Sequence, residues 1–219
     1  MVAFTIVLGN KAYSSWSLRA WLALKQTGID FDEVVVPLHR PETREEILAH
    51  SPSGRVPALK AGELTIWDSL AIAEYLDERF PAAGLWPRGP AARATARAVA
   101  AEMHAGFATI RRRLAMDLRR REPGEGRSPE MTAELAAEIA RIVALWSACR
   151  ARFGATGDFL FGGFSAADAC YAPVVTRFVT YGIALDGAAA AYRDAIMAWP
   201  ALRDWIAAAE AEPWVIENP

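Results

Sequence analysis

Tyr13-Ser14-Ser15-Trp16-Ser17-Leu18-Arg19 lies where an apolar strand, Phe4–Leu8, gives way to a helical pattern. A serine at such a junction caps the helix, because its hydroxyl takes an N–H that the first turn leaves unbonded. The helix end carries a partial positive charge, so the turn favours an anion. Outward from it, residues 15–27 place Leu18, Trp21, Leu22 and Leu24 on one face, and Gly28 ends the helix. Residues 31–36 are β-branched and predict a second strand. Residues 41–50 form a charged helical pattern around Ile47 and Leu48. Short strands at 58–60 and 64–67 flank the hairpin turn Ala61-Gly62-Glu63, and 69–80 predict a third helix. The order is βαβαββα. The βαβ unit implies a parallel pair and the hairpin adds antiparallel strands, so the sheet is mixed.

Residues 81–90 are rich in Pro and Gly and predict a linker. Beyond it no strand is predicted. Helical stretches at 91–121 and 130–153 are divided by a Pro/Gly-rich breaker at 123–129, and three more follow at 165–181, 188–199 and 201–211. The expected architecture is α/β plus all-α: a first domain over 1–80, a linker over 81–90 and an all-helical domain over 91–219.

The 219 residues carry a net charge of −2, which gives no overall attraction to nucleic acid or anionic lipid. The apolar run at 2–8 is too short for a membrane span and has no basic flank for a signal peptide. Cys149 and Cys170 sit far apart in helical patterns, as reduced core residues of a cytoplasmic protein do. Three scattered histidines and two distant cysteines give no metal-ligand spacing.

Three features of the first domain carry chemistry. Ser14 and Ser15 head the first helix. Arg55-Val56-Pro57 leads straight into a strand, a turn at which the Val56 N–H and C=O would be free to pair with an extended peptide. Trp67-Asp68-Ser69 opens the third helix and brings a carboxylate, a hydroxyl and open N–H groups to one spot. Each alone has a plainer reading: Ser14 as an ordinary cap, Pro57 as a strand-entry proline, Arg55 as a solvated side chain.

Taken together, these features resemble a cytosolic glutathione transferase over nearly the whole chain, with a thioredoxin-like first domain. Ser14, Ser15, Ser17 and Arg19 are similar to the zeta-class serine motif, with Trp16 where that motif usually has cysteine. Ser165-Ala166-Ala167-Asp168 resembles the family's capping box in the helical domain and is read as structural. The resemblance implies that glutathione is the co-substrate and that Ser14, or Ser15 one position on, hydrogen-bonds its sulfur as a thiolate. It implies that Val56, next to Pro57, pairs with the cysteinyl backbone, and that Asp68 and Ser69 hold the γ-glutamyl end. Arg55, with His39 or Arg40, is placed near the glycyl carboxylate. The electrophile is expected between Tyr13 and Trp16 on one side and Met103, His104 and Phe107 on the other. Zeta-like isomerisation of maleyl diketo acids would need arginines there, and Arg19 and the Arg111-Arg112-Arg113 run are the candidates. A homodimer is implied by the family.

The residue types suit this chemistry. A free thiol has a pKa of about 8.5, so little of it is thiolate at neutral pH. Ser14-x-x-Ser17 stands where a thioredoxin-fold oxidoreductase carries Cys-x-x-Cys, which excludes dithiol redox chemistry at this turn. Gly163-Phe164-Ser165-Ala166-Ala167 faintly resembles a hydrolase elbow, but the last histidine, His104, precedes that serine. The six arginines within 111–121 predict a solvated helix end. A protein that binds glutathione or another ligand without turnover is the remaining alternative, since fold alone does not fix activity.

Overall fold

The structure, a computed structural model, describes residues 3–119 and 130–216. Its first part runs β1 (Phe4–Leu8), α1 (Ser15–Gln26), β2 (Asp32–Val35), α2 (Thr43–Leu48), β3 (Ala58–Ala61), β4 (Leu64–Ile66) and α3 (Ser69–Arg79). The strands lie in the order β2-β1-β3-β4. β1 pairs parallel to β2, with Val7 opposite Val34, and antiparallel to β3, with Ile6 opposite Leu59. β3 and β4 pair antiparallel across the expected hairpin. The sheet is therefore mixed and the domain thioredoxin-like.

A 3₁₀ turn (Pro81–Ala83) leads to six helices: α4 (Pro90–Ala105), α5 (Ala108–Arg113), α6 (Ala133–Phe153), α7 (Ala166–Thr180), α8 (Gly187–Ala198) and α9 (Pro200–Ala211). The expected continuous helix over 91–121 is instead broken. Gly106 is extended and Phe107 takes a left-handed φ of 58°, and the short α5 begins after them. The Glu138 carboxylate accepts the Thr109 and Ile110 N–H groups at 3.1 and 2.8 Å, capping α5 from α6. This long-range cap is invisible to local periodicity. Arg120, Arg121 and the breaker at 123–129 lie outside the described residues. No described helix is long and apolar enough to cross a membrane.

One core joins both parts. Leu18, Trp21, Leu22 and Leu24 of α1 are buried against α3 on one side and α7 on the other. Burying each such side chain contributes about 1.5–3 kcal/mol, which fixes α1 as the central element. The loop before α1 is tied to the far end of the chain. Glu212 accepts the Lys11 and Ala12 N–H groups at 2.7 and 3.3 Å, and Trp205 Nε1 donates to the Lys11 carbonyl at 2.9 Å. Cys149 and Cys170 are both free thiols in the core.

Candidate functional site

Ser14 is the N-cap of α1: its Oγ accepts the Ser17 N–H at 3.3 Å. Its own hydroxyl donates to Ser17 Oγ at 2.8 Å, and Ser17 Oγ accepts the Gly9 N–H at 2.9 Å. The result is a short chain of polar groups from the end of β1 to the head of α1. Ser15 occupies the first helical position, and its hydroxyl has no hydrogen-bond partner among the described residues.

Beside this turn lies a cavity of about 460 Å³, within the range of small-molecule sites. Trp16, Arg55, Val56, Pro57, Asp68, Ser69 and His104 line it, joined by Ser53. Asp68 is the N-cap of α3 and accepts the Leu70 N–H at 3.1 Å. Its other oxygen lies 3.0 Å from His104 Nε2. Ser69 Oγ is buried and has no partner among the described residues. An unmade hydrogen bond on a buried hydroxyl costs about 1–3 kcal/mol, so this group is paired better by a ligand than by the empty protein.

Behind Trp16 is a different environment. Arg19 of α1 is 2% exposed, and all three of its guanidinium nitrogens are without a partner among the described residues. Arg177 of α7 is buried, and its Nε and Nη1 are likewise unpartnered. Arg111 of α5 donates to the carbonyls of Met103 and Gly106, which leaves Nη1 unpaired. None of the three forms an ion pair among the described residues. Burial, then repulsion from Arg19, pushes Arg111 down to about 10 and Arg177 to about 9; burial also lowers Arg19. The guanidinium carbons of Arg19 and Arg111 stand 4.4 and 4.6 Å from the Trp16 ring centroid. Such contacts stabilise by roughly 0.5–2 kcal/mol, less than the several kcal/mol it costs to bury an unpaired cation.

Several expected residues do not meet the cavity. Met103 is fully buried, because Ala96, Val99, Ala100 and Met103 form the inward stripe of α4. His104, one residue on, turns to the cavity instead. Phe107 sits in the core at the α4–α5 break, and Tyr13 packs against the core. His39 and Arg40 line a second cavity, of about 430 Å³, with Leu38 and residues Trp214, Val215 and Ile216 near the end of the chain. Arg40 is paired with Glu46 at 2.9 Å. Ser14 and Ser15 stand at the edge, next to Trp16 in sequence but outside the lining. Arg111 is not a solvated helix end, because α5 turns it inward. The structure gives a place to two further residues. Ser17 backs Ser14. Arg177 is the only charge in α7 beyond its capping Asp168, an oddity in an apolar helix that sequence could have flagged. Among the described residues no group of three or more His, Cys, Asp or Glu side chains could hold a metal ion.

Known proteins resemble this chain in sequence and in fold. The family model described as glutathione S-transferase, N-terminal domain, matches residues 13–79, and that of the C-terminal domain matches residues 132–208. Maleylacetoacetate isomerase of Rattus norvegicus is 42% identical over 88 residues, 39% of this chain and 40% of that protein. The Pseudomonas aeruginosa protein of the same name is 46% identical over 96 residues, 42% of this chain and 44% of the other. The matched stretches thus span about two-fifths of these relatives. A glutathione transferase homologue from Burkholderia, solved with bound glutathione, superposes with a TM-score of 0.71 at 23% identity, covering 96% of this chain and 100% of that one. A bacterial zeta-class maleyl pyruvate isomerase also gives 0.71 at 23% identity, covering 95% and 98%. At such identity these structures establish the shared fold.

Proposed function

From the premise that this chain belongs to the glutathione S-transferase family, we propose that it binds glutathione in the cavity beside α1 and adds its thiolate to an electrophilic carbon. The observation that carries this is the convergence of three distant segments on one cavity, with the Ser69 hydroxyl buried there and unpaired. Ser69 and the free N–H groups at the head of α3 take the γ-glutamyl carboxylate. Asp68 takes the ammonium in exchange for His104, Val56 pairs with the cysteinyl backbone, and Arg55 faces the glycyl carboxylate.

The sulfur sits at the head of α1. There the Gly9 N–H donates to Ser17 Oγ. If the Ser17 hydroxyl turns its proton onto Ser14 Oγ, the Ser14 proton is released toward the sulfur. A hydroxyl donor plus the helix end stabilises the thiolate by about 2–4 kcal/mol, lowering its pKa by one to three units. With an aryl halide, sulfur bonds to the halide-bearing carbon, the electron pair moves into the ring, and halide leaves.

A second reading, isomerisation of maleyl diketo acids, is favoured by Arg19 and Arg177, both buried with unpartnered guanidinium nitrogens among the described residues. The thiolate adds to one alkene carbon and the π pair moves onto the adjacent acyl group as an enolate. Rotation about the new single bond follows, and the enolate expels the thiolate, with no net redox change. The test is the thiolate absorbance of bound glutathione against pH. Ser14→Ala should raise the bound thiol pKa by one to two units, roughly 10–100-fold less thiolate at neutral pH. If instead Ser15→Ala alone raises it, the donor is Ser15; if wild type leaves the thiol at its solution value, the catalytic reading is wrong.

A further inference from the structure

Resting on the glutathione reading, we propose that Glu212, just past the end of α9, is a positioning residue for thiol activation: it holds the turn before α1 so that the Ser14 hydroxyl meets the glutathione sulfur. The turn runs from Asn10 to Ser14. Its neck is closed by the Asn10 carbonyl, which accepts the Tyr13 and Ser14 N–H groups at 3.2 and 2.8 Å. Lys11 and Ala12 form its outer edge, and all four of their backbone polar groups are bonded to the helical domain. Glu212 accepts both N–H groups, and Trp205 of α9 donates to the Lys11 carbonyl. The Leu118 N–H donates to the Ala12 carbonyl at 3.1 Å. Arg119, next to Leu118, donates in turn to the Ala209 carbonyl of α9 at 3.2 Å. The turn that sets the sulfur site thus belongs to the first domain by sequence and to the second by bonding.

The side chain of Lys11 is held separately. Its ammonium pairs with Glu33 at 2.5 Å and stands 5.5 and 5.2 Å from the Trp21 and Trp205 ring centroids. Those contacts anchor the side chain, whereas the two N–H bonds to one carboxylate set the direction of the backbone and, through the Asn10–Ser14 bond, the aim of Ser14. Hydrogen bonds to a charged acceptor are stronger than neutral ones, and two on one carboxylate fix orientation as well as distance. Aim matters here, because misplacing a catalytic group by about 1 Å can cost about 100-fold in rate. The cysteinyl and γ-glutamyl subsites rest on Val56, Asp68 and Ser69, which lie on other segments. Removing the Glu212 carboxylate therefore disturbs ionisation of the sulfur and spares binding of the tripeptide.

Glu212→Ala and Glu212→Gln test this, since Glu212 is half-buried and its loss empties no core. In Glu212→Ala the pKa of the bound glutathione thiol, read from thiolate absorbance, should rise by about one unit, and kcat for an aryl halide at neutral pH should fall about tenfold. The calorimetric Kd for glutathione should change by less than about twofold. The amide oxygen of Glu212→Gln keeps one of the two bonds, so this variant should lie between alanine and wild type, and it carries the test if the alanine variant does not fold. A bound thiol pKa equal to that of wild type in both variants would overturn the proposal, as would a loss of glutathione affinity that matches the loss of kcat. Amide hydrogen exchange without glutathione gives a readout independent of the thiol. In Glu212→Ala the Ser14 and Ser17 N–H groups, which Glu212 does not touch, should exchange at least about tenfold faster. If only Lys11 and Ala12 exchange faster, Glu212 is a local clasp and the proposal fails. If wild type leaves the bound thiol at its solution value while Ser14 exchange still responds to Glu212, the catalytic reading fails and the hold of Glu212 on Ser14 is supported.

Discussion

Asp168 and Arg177 lie on the same helix, both buried, and the protein treats their charges in opposite ways. The Asp168 carboxylate accepts the Ser165 N–H at 2.8 Å, the Ser165 hydroxyl at 2.7 Å and the Leu160 N–H at 3.1 Å. Arg177, near the other end of α7, has two nitrogens bonded to nothing among the described residues. The first is a saturated polar knot that fixes where the helix begins. The second is a standing cost that folding alone does not repay. The contrast separates structure from function: a buried charge with both oxygens engaged holds the fold, and one left open awaits a ligand. Ser69 Oγ, unpartnered among the described residues, belongs with the open group, whereas Ser14 is engaged on both sides by Ser17 and must exchange one of those bonds to reach a ligand.

The contrast can be broken at its saturated end first. Asp168→Ala should lower unfolding free energy by about 3–5 kcal/mol in denaturant titration, because three donors lose one acceptor. Glutathione affinity of the folded fraction should not change; a specific loss of affinity would place Asp168 in the site. Burial holds the Asp168 carboxyl up to about 6. The folded chain therefore binds this proton more tightly than the unfolded one. Stability from this group is full below about pH 4 and is lost as pH rises through 6. The stability of wild type relative to Asp168→Asn should accordingly decline from pH 4 to 6.

At the open end the sign reverses. Arg177→Met should stabilise the free protein by about 1–4 kcal/mol, since it removes an uncompensated cation. Burial lowers the Arg177 pKa to about 9, so the cost is present at neutral pH and fades as pH rises above 9. The advantage of the Met variant should shrink over that window. A destabilised Met variant at pH 7 would mean that Arg177 has structural partners after all.

The smallest expected effect sharpens the serine pair. Ser69→Ala should stabilise the free protein by about 1 kcal/mol, because it removes a buried hydroxyl that bonds nothing among the described residues. It should weaken glutathione binding roughly tenfold by calorimetry, the worth of one hydrogen bond to a charged group. Unaltered affinity would remove Ser69 from the γ-glutamyl subsite.

Much of this was legible along the chain. The apolar run of β1, the serine cap of α1, the Gly62 hairpin and the acid–serine start of α3 are local patterns whose causes lie within a few residues. That is why the element order and the lining by Val56, Pro57, Asp68 and Ser69 could be read before any coordinates. The misses share one cause. Met103 and His104 are neighbours in sequence, and only the inward stripe of α4 decides that the first is core and the second faces the cavity. The α4–α5 break depends on a Glu138 cap from 28 and 29 residues away. His39 and Arg40 look over toward Trp214 and its neighbours because the loop before α2 meets the end of the chain.

Sequence alone determined the two-part architecture, since hydrophobic period, caps and turns act through bonds and near neighbours, and its motifs carried the resemblance to the family. Only the tertiary structure decided that Arg19 of α1 and Arg111 of α5 lie against one indole and that Arg19 and Arg177 of α7 are buried without an ion pair among the described residues. Electrostatic cost is a property of what surrounds a charge in space, and no local pattern records it.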